Sequence, residues 1–404
     1  MSKLPIAVRG SVASLDARAR AVLFERSSAS DPAVRDGTQR IIDRVRAEGD
    51  AALREFAREF DGAELGSLEV PRAAWRAALD ALPAALHRSL ERAAANIQQV
   101  HEAFRPIPRE TVTTDGVVIG RRPDPLARVG VYAPGGRAAY PSSLLMGVIP
   151  ARVAGVGEVI VCSPPGRDGA PSAVLMAAAE LAGADRLFAV GGAGAIAAMA
   201  YGTATIPAVD RIVGPGNAYV AEAKAQVASV TAIDSPAGPS ELLVIADDSA
   251  TPMVVARELL AQAEHDPMAA VVLVSTSETL IREVERRLAE LLPREPRADV
   301  IAAALSSRGA LLLAASRDEA VAFANRWAPE HLLLAVKEAE SLLPSVRNAG
   351  TVFVGETASV AFGDYMSGAN HVLPTSWRCR AGQRRTTWLP ANKRVPRAAT
   401  AGQS

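Results

Sequence analysis

The chain has 404 residues, more than the roughly 250 to 300 that one hydrophobic core usually spans, so two or more packed domains are expected. Its two cysteines, Cys162 and Cys379, are too few for a disulfide framework, which excludes a small stapled scaffold and points to a reducing, cytoplasmic setting. Lysine plus arginine and aspartate plus glutamate stand at 44 each, so no overall charge draws the chain to nucleic acid or to a membrane surface.

The opening segment, "MSKLPIAVRGSVASLDARARAVLF", scatters its arginines and has no apolar centre, so it does not read as a signal peptide. No run further on stays apolar for the roughly 18 to 20 residues of a membrane span. Residues 30–105 read as helices. Ser30 or Asp31 is placed to cap, Pro32 suits a first turn, and "RIIDRVRAEGDAALREFAREF" repeats apolar residues at helical spacing with a break at Gly49-Asp50.

From Val129 the texture changes to short β-branched runs that end in glycine or proline, each followed by an alanine-rich helical stretch. "VGVYAPGG", "EVIVCSPPG", "RLFAVGGAGAIAAMAYG", "DRIVGPGNAYVAEAKAQV", "LLVIADD" and "AAVVLVST" follow this pattern. Strand, turn and helix in alternation indicate an α/β protein with parallel sheets and covering helices. There are enough units for two sheets, dividing near Asp234 to Ser240. We place an N-terminal helical segment at 1–128, packing on the core, a first α/β domain at 129–235 and a second at 236–375. Residues 376–404 form an atypical basic tail, with seven basic residues and no acidic one, so the rest of the chain is net negative.

Three polar clusters stand out. In "LLAQAEHDP", Gln262 and His265 lie three apart on one helical face, with Pro267 ending the helix soon after; both could face one metal ion, or form a polar helix end. "FGDYMSGANHVLPT" holds Asp364 and His371 in a glycine-punctuated loop after the strand-like "GTVFVG", a place for functional groups or for a solvated turn. "RWAPEHLLL" sets Glu330 beside His331, where a carboxylate and an imidazole could share proton transfers if the proline bend breaks the alternation of a strand. The alternative is a histidine capping a strand. Glycine turns in "GGAGAIA", "VGPGNAY" and "VYAPGG" could cradle a phosphate or serve as tight βα turns. The G-x-G-x-x-A at Gly192, Gly194 and Ala197 lacks the acidic strand end of a dinucleotide fingerprint.

Taken in order, "VGVYAPGG", "YPSSLLMGVIPARVAGV", "VGPGNAYVAEAK", "IDSPAGPSELLVIAD", "LLAQAEHDP", "APEHL" and "GDYMSGANHVLPT" closely resemble the histidinol dehydrogenase family from about residue 35 to residue 375. The resemblance implies two Rossmann-like domains, a homodimer with an exchanged C-terminal region, and one zinc per subunit. It also implies conversion of L-histidinol through the aldehyde to L-histidine with two NAD reductions, the last step of histidine biosynthesis. Carried over by motif, Gln262, His265 and Asp364 would be zinc ligands. Ser240, Gln262, His265, His331, Asp364 and His371 would line the substrate pocket, Tyr132 and Asn217 would contact NAD, and Glu330 and His331 would be the catalytic bases.

The chain departs from that pattern at its end. The family's C-terminal histidine ligand, and the substrate-binding glutamate just before it, have no counterpart, because no histidine follows His371 and no acidic residue follows Asp364. The foreign composition after Thr375 suits a shift of coding frame there. Zinc would then have three protein ligands at most. Gly194 also stands where the family usually has glutamine, weakening the NAD contact. The alternatives are a paralogue oxidising another small polar alcohol with zinc and NAD, and a non-catalytic dimer that has lost the metal.

Overall fold

The computed structural model describes residues 4–26, 32–135, 139–234, 240–365, 367–371 and 387–390. Its strands are β1 (Val8–Ser11), β2 (Arg109–Val112), β3 (Val118–Arg121), β4 (Arg128–Tyr132), β5 (Glu158–Ser163), β6 (Arg186–Ala189), β7 (Arg211–Val213), β8 (Ala232–Ile233), β9 (Glu241–Ala246), β10 (Ala270–Ser275), β11 (Gly309–Leu313), β12 (His331–Ala335), β13 (Thr351–Val354) and β14 (Thr387–Pro390). The fold is α/β, and the chain passes from one parallel sheet to another between Ile233 and Glu241. Ser30, Asp31 and most of the basic tail lie outside the described residues. Two compact units emerge.

The first unit holds a five-stranded parallel sheet in the order β6-β5-β4-β7-β8. The strand order reverses between β4 and β7, so their carboxyl ends form the switch point where Rossmann-type sheets take ligands. The helical N-terminal segment belongs here from Pro32 onward, as Pro32–Glu48, Asp50–Phe56, Arg72–Asp80 and Ala84–Ala103, with the expected break at Gly49, where φ is +58°. Trp75 anchors the third of these: it is 1% exposed and its indole N–H donates to the Val70 carbonyl at 3.1 Å. Between this segment and the sheet, β2 and β3 form a separate antiparallel ribbon whose residues are all exposed. Residues 363–371 also pack here, because Gly368, at φ +73°, brings its backbone so close that a Cβ would sit 2.3 Å from the Asn96 carbonyl oxygen.

The second unit is built on seven parallel strands in the order β1-β11-β10-β9-β12-β13-β14. Every residue of β9 ("ELLVIA") and β10 ("AVVLVS") is buried. Side chains alternate between faces: Leu242 and Val244 join Leu259 in one core cluster, while Leu243 and Ile245 join Phe323 and Trp327 in the other. Helices cover both faces, which is why these strands read as unbroken apolar runs.

Two features of this sheet differ from the sequence reading. Residues 4–26 belong to this unit and not to the helical segment, because β1 pairs in parallel with β11, Val8 opposite Ala310. An edge strand held by its backbone needs little apolar pattern, and in "VRGS" only Val8 is buried. At the other edge, the compositionally foreign tail supplies β14, in parallel register with β13 from Thr351 opposite Thr387.

Candidate active site

At the switch point of the first sheet, β4 ends in Tyr132 and β7 runs into the "VGPGN" turn. Tyr132 is 4% exposed, and its hydroxyl accepts the Gly192 amide at 3.1 Å; burial raises its pKa to about 12. That bond occupies the first amide of the helix Gly192–Tyr201, at the turn that carries the G-x-G-x-x-A pattern. Gly194 packs inward, where a Cβ would lie 3.3 Å from Leu53 Cδ2 and 3.4 Å from Phe56 Cδ2, so a larger side chain would force that helix away from Asp50–Phe56. Asn217 caps the helix Ala218–Val227 by accepting the Val220 amide at 3.1 Å. The helix therefore points its N-terminal amides toward the crevice, the arrangement that favours a phosphate.

The turn before Asn217 is braced from both sides. Gly214 donates its amide to Asp234 Oδ2 at 2.7 Å and accepts at its carbonyl from Lys224 Nζ at 2.9 Å, and Lys224 is ion-paired with Asp234. At φ +117°, with a Cβ falling 2.1 Å from the Tyr132 carbonyl oxygen, no other residue fits at Gly214 without displacing β4. Gly214→Ala is expected to destabilise the fold by well over the roughly 1 kcal/mol typical of a left-handed glycine. Gly183→Ala is the control in thermal unfolding: φ is also positive, +74°, but nothing lies within 4 Å, so only the backbone cost applies.

In the second unit two of the three polar clusters, with Ser240, lie at the amino edge of three neighbouring strands. Ser240 precedes β9 and accepts the Ala270 amide at 3.1 Å, His265 lies in the turn before β10, and Glu330 and His331 open β12. Glu330 and His331 are 5% and 6% exposed. Their neighbourhood answers how adjacent residues can act together. Ala328, at φ +55°, ends the preceding helix in the left-handed region, and Glu330 stands before the strand begins, so it escapes the alternation of β12. Its Oε2 lies 3.8 Å from His331 Nδ1. Backbone bonds from Gly350 to the Pro329 carbonyl (3.0 Å) and from Thr351 to the Glu330 carbonyl (2.9 Å) fix this bend.

One residue on the neighbouring strand holds both side chains. The Glu241 amide donates to Glu330 Oε2 at 2.9 Å, and the Glu241 carbonyl lies 3.1 Å from His331 Nδ1. A carbonyl oxygen can only accept, so Nδ1 carries the proton and Nε2 keeps the lone pair that a base needs. Sequence reasoning did not single out Glu241, because it acts through backbone groups that any residue would supply. It also passed over Asp247, which is 4% exposed and receives the Ser249 and Lys337 amides and the Arg317 guanidinium. Asp247 sits at the carboxyl edge between β9 and β12, the switch point of the second sheet, and its bonds make it a structural lock.

Gln262 and His265 do not share one helical face as the spacing suggests. The helix Pro252–Ala263 ends just after Gln262, and His265 lies beyond its cap, its amide 3.4 Å from the Gln262 carbonyl. Gln262 is buried and His265 exposed. Of the other two positions, His371 is half-buried, while the backbone of Asp364 lies in the helix Ala361–Tyr365 and its side chain is outside the described residues. Among the described residues no three His, Cys, Asp or Glu side chains gather about one point. The chemistry of the candidate donors, an imidazole nitrogen, an amide oxygen and a carboxylate, nonetheless suits a zinc with three protein ligands and an open position. The carboxyl end of a helix with no basic residue in its last turn favours a cation as well.

A family model described as histidinol dehydrogenase matches residues 24–383, reaching past Thr375. A histidinol dehydrogenase of Halobacterium salinarum is 50% identical over 370 residues, 91% of this chain and 86% of that one. One of Methanosarcina mazei is 48% identical over 347 residues, 85% of this chain and 79% of the relative. The crystal structure of histidinol dehydrogenase from Elizabethkingia anophelis matches with a TM-score of 0.89 at 33% identity, covering 94% of this chain and 87% of that one. With the matched segments running through both sheets and every polar cluster described above, the chain belongs to the histidinol dehydrogenase family.

Proposed function

We propose that this protein oxidises L-histidinol through L-histidinaldehyde to L-histidine, the last step of histidine biosynthesis, reducing two NAD. The observation that carries the reading is the buried Glu330–His331 pair, two candidate bases on one short bend. Two successive oxidations at one carbon need two different proton transfers, from the alcohol hydroxyl and from the water that hydrates the aldehyde. His331 takes the first at Nε2, with the Glu330 carboxylate as counter-charge to the imidazolium. Glu330 takes the second, polarising the attacking water. Burial of both groups keeps bulk water from the aldehyde.

Tyr132 and Asn217, at the switch point of the first sheet, are the positions we assign to NAD contact. Gln262, His265 and Asp364 are the assigned zinc ligands, one ion per subunit, and with Ser240, His331 and His371 they line the substrate pocket. When bound, zinc would fix the substrate's amino and imidazole groups, a template role. The protein acts in the cytoplasm as a homodimer. Support for the dimer comes from the exposed ribbon, where Val112, Val117, Val118 and Ile119 are all more than half exposed, an apolar surface that monomers rarely leave open. Sedimentation at twice the chain mass would bear this out, and a monomer at micromolar concentration would refute it.

No membrane-crossing helix occurs among the described residues. The alternative of a different small polar alcohol draws no support from the relatives. Turnover compared across L-histidinol, other amino alcohols and simple imidazole alcohols tests the assignment: L-histidinol is expected to be preferred by orders of magnitude, and a better substrate among the others would overturn it.

A further inference from the structure

Arg26 reaches the pair from the far end of the chain. It is 3% exposed, and its Nη1 lies 3.0 Å from Glu241 Oε1, itself on a residue 2% exposed. Its guanidinium carbon lies 3.7 Å from the centroid of the Trp327 ring, and its Nη2 donates to the Trp327 carbonyl. Trp327 is in turn pinned by its indole N–H to the Leu23 carbonyl at 2.9 Å. Arg26 therefore grips both segments that fix the catalytic pair. Trp327 ends the helix that leads into Glu330, and Glu241 supplies the amide and carbonyl that hold the two side chains.

Glu241 needs such a grip. It is the first residue of β9, and the ladder to β12 begins one position later, at Leu242 opposite His331. On that side its amide meets the Glu330 carboxylate in place of a strand backbone, and strand ends are where local opening is easiest. A buried ion pair is a weak source of stability, because burying two charges costs about as much as their attraction returns. Its two-ended, planar geometry gives it value as a positioning device.

We infer that Arg26 and Glu241 are positioning residues for the Glu330–His331 pair, an inference that rests on the assignment of those two groups as bases. Arg26 sets the end of β9, the end of β9 sets the carboxylate and the imidazole, and proton transfer suffers when that chain is cut.

The test is a double-mutant cycle on the full-length, zinc-supplemented enzyme with L-histidinol and NAD. Arg26→Gln is expected to lower kcat by about tenfold or more with KM for L-histidinol changed less than about threefold, the pattern of a lost transition-state interaction. In an E330Q background the same change is expected to alter the residual kcat by less than about twofold, because the step that depends on Glu330 then limits turnover and masks any further shift of His331. Arg26→Lys, which keeps the charge but not the fork, should recover part of the rate. An equal fold-loss in both backgrounds, or a loss confined to KM, overturns the inference. Where R26Q does not fold, E241Q replaces it, keeping the backbone bonds while loosening the ion pair, with the same non-additivity expected. E330Q at full rate overturns the base assignment and this inference with it; impaired E330Q with additive R26Q overturns this inference alone.

Discussion

Glu330→Gln is expected to produce an enzyme that still oxidises the alcohol but stalls at the aldehyde, while His331→Asn slows the first oxidation as well. The amide of glutamine can still accept the Glu241 N–H, so the bend keeps its shape and only the proton acceptor is lost. Loss of a positioned general base typically costs about 10²- to 10⁴-fold, and the same range is expected for each substitution in its own step. The two steps are separated by supplying the aldehyde directly: E330Q should fail on both substrates in steady state yet release one NADH per site in a single turnover of the alcohol. H331N should be slow from the alcohol and faster from the aldehyde. Equal impairment of both variants on both substrates would contradict separate roles. His331 has its Nδ1 committed to a carbonyl, so asparagine removes Nε2, the nitrogen assigned as base, while still allowing an N–H to reach Glu241.

Stripping zinc is expected to abolish turnover, and returning zinc to restore it, but at unusually high metal concentration. Gln262, His265 and Asp364 are the donors we assign, one of them an amide oxygen, a weak ligand beside thiolate or imidazole. The zinc concentration for half-maximal activity should therefore lie well above that of a site built from thiolates or imidazoles alone. Dialysis against chelator followed by zinc titration reads this directly. His265→Ala should abolish reconstitution, and full activity in metal-free protein would remove zinc from the account.

Much of the architecture was legible because it rests on apolar runs that physics allows only in one setting. "ELLVIA" and "AVVLVS" can be strands only if both faces are covered, and helices cover both. Gly49 marks a helix break because it adopts φ +58°. What stayed hidden is what backbone alone decides. β1, "VRGS", shows no periodicity, yet it extends the second sheet, and β14 arises from a tail whose composition suggests no strand. In the active site the motif residues were visible by chemical type, but their support was not. Glu241 acts through its amide and carbonyl, and Arg26 lies some three hundred residues from the Trp327 carbonyl it bonds, a separation no local pattern reports. The spacing of Gln262 and His265 was read as one helical face, whereas the helix stops between them and leaves one buried and one exposed.

The central claim is a four-electron oxidation by one protein. It is tested most directly by counting NADH formed per L-histidinol consumed, with purified protein, added zinc and the product identified by chromatography. Two NADH per substrate with L-histidine as product is the expected result, and it would mean that the donors present in this chain suffice. One NADH with the aldehyde accumulating, or no turnover of L-histidinol with zinc and NAD supplied, would contradict it.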